Sequence, residues 1–352
     1  MKIFVFGAGA SANAHTTSLG TEQKPPLTKD IFFNAYILSY AHQVGLSHND
    51  IEIYKREIEK FTTLEEWLTK KWESAFLEKD SRHKDASLRK LAKIAFYIWI
   101  TLLRVSEVVY QNISNCRDDN NYRTFFTKLY DNEPEANFAI INFNYDLLID
   151  FAYKDVFGRT FHNVKDYLDS NYIKPHGSVN WFLGRRTTDR VLNLERKFEF
   201  DTLVRIVTAV ENMYKSDSIE FASHRIIEPD DRNLYKIDNI LREFEDQYFY
   251  PLIFLPLIIK NYDFVSGFSS EIIQRAKQFF QQATEIYLIG YGAKDDIILD
   301  LLKEIQQPEV KLLIANTTNS SAALMKSLLN KFSLLEQGSI NDKGFSNFVS
   351  EY

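Results

Sequence analysis

The chain has 352 residues, enough for one large domain or two modest ones around a well-buried core. Its 45% hydrophobic and 26% charged content is that of an ordinary globular protein, and a formal charge of −6 offers no basic field to a nucleic-acid backbone. One cysteine, Cys116, excludes an intrachain disulfide and any multi-cysteine zinc knot. The expected compartment is the cytoplasm, with no metal, no direct nucleic-acid contact and no membrane. A strand is expected within two residues of Met1, leaving no room for a signal peptide. The longest apolar runs, Ile94–Leu103 and Leu252–Ile259, are too short to span a bilayer. Aromatic residues make up 14% of the chain, with 28 Phe and 19 Tyr, and predict a large aromatic core.

In chain order, Lys2-Ile-Phe-Val-Phe6 is a short apolar run that stops at a glycine and reads as a buried parallel strand. From about 31 to 130 the spacing turns helical, at Ile51–Lys60, Leu64–Leu77 and Leu88–Val109, and no strand pattern interrupts it. This is a helical insertion. Strand patterns return at Phe138–Asn142, Leu252–Leu255, Ile286–Ile289 and Lys311–Ala315. The last two are followed by polar turns and helix-like segments, Asp295–Ile305 and Ser320–Lys331. A second, mixed and mostly helical insertion is expected over about 182–250. Strand, turn and helix repeating in this way predict an α/β fold: one Rossmann-like domain over 1–352 with an open, mostly parallel sheet.

Three short segments carry the chemistry. Gly7-Ala8-Gly9-Ala10-Ser11 follows the first strand, and Gly7-x-Gly9-x-x-Ala12 has the spacing of a dinucleotide-binding turn. Glycines there allow a tight bend and bring backbone N–H groups close to a diphosphate. The same residues also suit a plain strand-to-helix turn. A dehydrogenase would place an acidic residue at the end of a second strand. Asp30 has about the right spacing, but Thr28 reads as a helix N-cap and Asp30 as first-turn, so an oxidoreductase is disfavoured. In Asn142-Phe143-Asn144-Tyr145-Asp146, an amide and a carboxylate fall just beyond a strand, where open α/β sheets bind ligands. Turn formation is their ordinary use. In Lys174-Pro175-His176-Gly177-Ser178, an imidazole sits in a fixed bend and suits a general base, or a structural role. No pair among the histidines has metal-ligand spacing.

Taken together, these residues resemble the sirtuin superfamily, in which a Gly-Ala-Gly-x-Ser turn, an Asn-x-Asp strand end and a His-Gly segment build an NAD site. Gly7–Ser11, Asn144–Asp146 and His176–Ser178 match in kind and order. Gly290-Tyr291-Gly292 resembles the Gly-Tyr-Ser turn of the bacterial sirtuin-like branch, as does Pro25-Pro26-Leu27-Thr28, and Ile314-Ala315-Asn316 is similar to the strand end that meets the adenine ribose. Sirtuin deacylases also carry a four-cysteine zinc module and an Asp-Phe-Arg loop, which this chain lacks. The resemblance therefore points to the branch that hydrolyses NAD itself, releasing nicotinamide and ADP-ribose to deplete NAD in antiphage defence.

By this resemblance Asn144 and His176 are the catalytic pair. Gly7, Ala8, Gly9, Ala10, Ser11, Asp146, Gly290, Tyr291 and Asn316 contact NAD, the substrate. The implied partners are further copies of the chain and a separately encoded protein, a HerA-type ATPase in preference to a short Argonaute. A protein deacylase and a non-enzymatic NAD or ADP-ribose sensor are the alternatives.

Overall fold

From Ile3 to Phe6 every side chain of the first strand is fully buried. A strand apolar on both faces needs cover on both, which only the interior of a sheet provides. The computed structural model describes residues 1–14, 31–33, 38, 41, 46–61, 64–115, 120–161, 164–186, 224–226, 247–251, 268–293, 296–317 and 321–352. Its strands are β1 (Lys2–Phe6), β2 (Phe138–Asn142), β3 (Tyr172–Ile173), β4 (Trp181–Arg186), β5 (His224–Ile226), β6 (Gln247–Pro251), β7 (Glu285–Ile289), β8 (Val310–Ala315) and β9 (Leu335–Asn341). Helices before the second strand are α1 (Ala8–Ala12), α2 (His48–Ile58), α3 (Leu64–Leu77), α4 (Ser81–Asn115) and α5 (Asn121–Asn132). After it come α6 (Leu148–Phe157), α7 (Val164–Leu168), α8 (Phe268–Gln281), α9 (Asp296–Lys303), α10 (Ser321–Lys331) and α11 (Phe345–Glu351).

Six strands form one sheet in the order β3-β2-β1-β7-β8-β9, and every pairing in it is parallel. The chain builds outward from β1 to β3, then returns beside β1 and builds outward the other way. This is an α/β, Rossmann-like open sheet. Its strand order reverses between β1 and β7, the position where such sheets open a crevice at their carboxyl ends.

Alternation along β1 divides the packing. Phe4 and Phe6 share one face, where they meet Phe125 of α5, and Phe6 also meets Tyr122 and Phe345. Phe4 stacks on Tyr287 of β7 with ring centroids 4.6 Å apart. The helical insertion has an aromatic centre of its own, in which Phe32 packs on Tyr54, Trp67 and Tyr97. Helix α2 begins at a capping box, with the Ser47 hydroxyl accepting from the Asp50 amide and the Asp50 carboxylate accepting from the Ser47 amide.

Among the described residues of the second insertion, β4 pairs antiparallel with both β5 and β6 in a separate three-stranded sheet, and the rest of about 182–250 lies outside the described residues. The expected strand at Leu252–Leu255 lies outside the described residues, as do Pro25–Thr28, Asp30, Asp295 and Cys116. Strands β3 and β9 of the main sheet were not anticipated. Among the described residues no helix is long and apolar enough to cross a membrane.

Candidate functional site at the carboxyl edge of the sheet

Each candidate residue follows a strand of the main sheet at its carboxyl end. Gly7–Ser11 follow β1, Asn144 and Asp146 follow β2, His176 follows β3, Gly290 and Tyr291 follow β7, and Asn316 follows β8. Parallel strands put all these ends on one edge, so residues more than 300 positions apart in sequence share it.

At the strand-order reversal the turn after β1 meets the turn after β7 backbone to backbone. The Gly7 amide donates to the Ile289 carbonyl (3.0 Å) and the Gly9 amide to the Gly290 carbonyl (2.9 Å). The fit excludes side chains. A Cβ on Gly290 would stand 2.0 Å from the Ala10 nitrogen, and one on Gly9 2.9 Å from the Gly290 oxygen. Gly290 also has φ of +59°, in the left-handed region. A Cβ on Gly7 would run into the Tyr291 ring, 2.5 Å from Cδ2. The sequence reading assigned these glycines to a diphosphate. In the structure they first serve this close approach. The amides of Gly7 and Gly9 are engaged with protein carbonyls, and that of Ala10 donates to Gly7 (2.9 Å). Ala8 is the exposed member of the turn.

Asn144 braces the same turn from the other side. Its side-chain NH2 donates to the Gly7 carbonyl (3.0 Å) and to the Ser11 hydroxyl (2.9 Å). Reversing the amide would set oxygen against the Gly7 oxygen, so the orientation is fixed by its partners. What Asn144 has left for a ligand is its carbonyl oxygen, an acceptor. Ser11 lies 3.0 Å from the Tyr122 hydroxyl. Asp146 accepts from the Leu148 amide (3.1 Å) at the start of α6. Burial pushes the Asp146 carboxyl above the usual carboxylate range, against the opposing pull of Lys174. Burial also raises the Tyr122 hydroxyl well above its ordinary value, keeping it neutral.

His176 is buried beside the two neighbours of Asn144. Its ring meets Phe143 edge-on at 4.7 Å and tilts against Tyr145 at 5.9 Å. Phe143 in turn stacks on Tyr291 at 4.8 Å, nearly parallel at 11°. The segment Phe143–Tyr145 thus touches the glycine turn through Asn144 and His176 through its two flanking rings. Asn316 is farther along the edge: its amide donates to the Asn341 carbonyl and its side-chain oxygen accepts from the Thr317 amide. Gly290 links the two regions by donating to the Ala315 carbonyl (2.8 Å). His15 lies outside the described residues.

Sequence reasoning passed over a second set of residues beneath these. Lys174 is fully buried, and its ammonium donates to the Asp146 carbonyl (2.7 Å), the Asp150 carboxylate (2.8 Å) and the Ser178 hydroxyl (2.8 Å). Asp150 also accepts from Tyr167 (2.6 Å) and Tyr172 (2.8 Å). Lys174 and Ser178 flank His176 in the recognised segment, and Asp150 follows Asp146 by one helical turn. Those spacings were the available signal. Nothing around Tyr122 pointed to it.

No protein-family model matches the chain, and no curated protein matches it.

Proposed function

We propose that this protein is an NAD hydrolase that cleaves the nicotinamide–ribose bond. One observation carries the reading: a buried amide, a buried carboxylate and a buried imidazole cluster at the carboxyl edge, beside the strand-order reversal of a Rossmann-like sheet. The likeness of the three motifs to sirtuin-like sequences supports the choice of NAD.

In this scheme the C–N bond breaks with its electron pair leaving on nicotinamide, and positive charge develops on the ribose as in glycoside hydrolysis. Water adds to the anomeric carbon and gives its proton to the His176 imidazole. The Asn144 carbonyl oxygen accepts a hydrogen bond from that water or from a ribose hydroxyl. Asp146 offers its carboxylate to the nicotinamide–ribose half. The diphosphate runs along Gly7–Ser11 past the exposed Ala8, and Gly290, Tyr291 and Asn316 line the adenosine side. Because unregulated NAD loss would be lethal, activity is held in check by assembly, as a homo-oligomer or with a HerA-type ATPase, a role in antiphage defence. A short Argonaute is the less favoured partner.

A sensor that binds NAD or ADP-ribose without turnover is the second reading. It is favoured by the commitment of the Asn144 NH2 to Gly7 and Ser11, a brace that serves the fold as well as chemistry. Mass spectrometry of NAD incubated with the purified protein separates the two. Nicotinamide and ADP-ribose are expected from the wild type, with at least a ~100-fold loss for Asn144→Ala and for His176→Ala. Binding with no product in any assembled form favours the sensor. O-acetyl-ADP-ribose formed from an acetyl-lysine peptide would mark a deacylase. Full activity of a strictly monomeric chain would overturn control by assembly.

A further inference from the structure

We propose that Asp150 is a positioning residue that sets Asn144 and the His176 turn relative to each other. The inference rests on the reading of those two residues as the reacting pair. Two hydrogen-bonded branches leave its carboxylate. Along the first, Asp150 Oδ2 accepts from the Tyr172 hydroxyl (2.8 Å), which accepts from the Asn142 NH2 (2.9 Å). The Asn142 side-chain oxygen then accepts from the Asn144 backbone amide (2.9 Å). Along the second, the same Oδ2 accepts from Lys174, whose ammonium also holds Ser178 Oγ (2.8 Å).

Lys174 and Ser178 bracket His176, and the turn is closed by the Gly177 amide donating to the Lys174 carbonyl (3.0 Å). The third contact of Lys174, with the Asp146 carbonyl (2.7 Å), ties the second branch to the segment that carries Asn144. Tyr167 holds the remaining carboxylate oxygen (2.6 Å), so Asp150 cannot rotate without breaking a bond. Asp150, Tyr167, Tyr172, Lys174 and Ser178 are all buried. A buried carboxylate that accepts three hydrogen bonds at fixed angles is a rigid fixture, and it sits one helical turn beyond Asp146.

A carboxylate that merely neutralises Lys174 would be replaceable together with it, because removing both charges leaves neither uncompensated. A positioning carboxylate would not. The test therefore compares the wild type with Asp150→Asn, with Asp150→Asn/Lys174→Gln, and with Tyr172→Phe, which removes one hydroxyl from the first branch. Thermal unfolding reports folding, and NAD cleavage gives kcat and KM. Proton–nitrogen NMR follows the His176 ring, the Asn144 side-chain amide and the Trp99 indole, which donates to the Val179 carbonyl (2.8 Å) beside the turn.

The expected result is a folded double variant with kcat down about 100-fold and KM within about threefold, since displacement of reacting groups by about 1 Å has that cost. Its His176 and Trp99 signals move, whereas Tyr172→Phe moves the Asn144 amide and leaves His176 in place. A folded double variant with wild-type kcat and unchanged signals overturns the proposal. If the double variant does not fold, Tyr172→Phe decides: an unmoved Asn144 amide overturns it. If the wild type releases no nicotinamide, the hydrolase reading falls by itself, and the NMR signals of the same variants judge the positioning role.

Discussion

Asp146 shows how the environment of one carboxyl becomes a property of the whole protein. Burial raises its proton affinity in the folded state above that of the unfolded chain, where a carboxyl titrates near 4. The folded state therefore binds the proton more tightly, and the stabilisation is full below about pH 4 and is lost as pH rises through the raised folded value. Asp146→Asn removes the titration and keeps an oxygen to accept from the Leu148 amide. Urea unfolding between pH 4 and pH 7 is expected to give a wild-type stability that falls with pH relative to the variant. A difference that does not change with pH would contradict the assignment. The placement of Asn144 and Asp146 just beyond a strand, and of His176 in a bend, was legible in the sequence. The network beneath them was not. Lys174 and Asp150 are ordinary charged residues until the fold buries them together, and charge alone predicts exposure.

At the scale of elements, the contact between the turns after β1 and β7 governs the site. Gly290→Ala places a Cβ 2.0 Å from the Ala10 nitrogen and demands a left-handed conformation from alanine. The two turns must then separate, and a loss of about 3 kcal/mol is expected from the urea midpoint. Gly292→Ala, where a Cβ would meet nothing within 4 Å, is the matched control and is expected to be nearly neutral. The turn itself was readable from Gly7-x-Gly9, and resemblance set Gly290 in the same site, but their main-chain contact was not readable, because sequence spacing carries no information about which strands become neighbours. The same limit explains β9. Its residues Leu335–Asn341 alternate too weakly to stand out, being largely exposed at the sheet edge, and β3 is only two residues long.

Across the described residues, the buried aromatic rings divide between the sheet core and the helical insertion, and they carry a titration of their own. Tyr122 and Tyr172 are raised well above the usual phenol value by burial, and Tyr54, Tyr97, Tyr153, Tyr287 and Tyr352 are raised for the same leading reason. Unfolded tyrosines ionise near 10, so their contribution is intact below that pH and is lost as pH climbs above it. Between pH 9 and pH 12, tyrosinate absorbance and loss of circular dichroism are expected to rise together in one cooperative step. Gradual ionisation with the fold intact would show the phenols to be accessible. The open α/β architecture was legible at this scale because β1, β2, β7 and β8 each form a short apolar block that ends at a turn.

The seam at Gly7, Gly9 and Gly290 has a consequence for how such a site can change. Where main chain touches main chain, there is no side chain to exchange, and the spacing there is closed to adjustment by point substitution. On the proposed hydrolase reading, new ligand preferences would be written around it, in Ser11, Tyr291, Asn316 and the loops that carry them. For a designer, the seam is the part to copy unchanged and its rim is the part to vary.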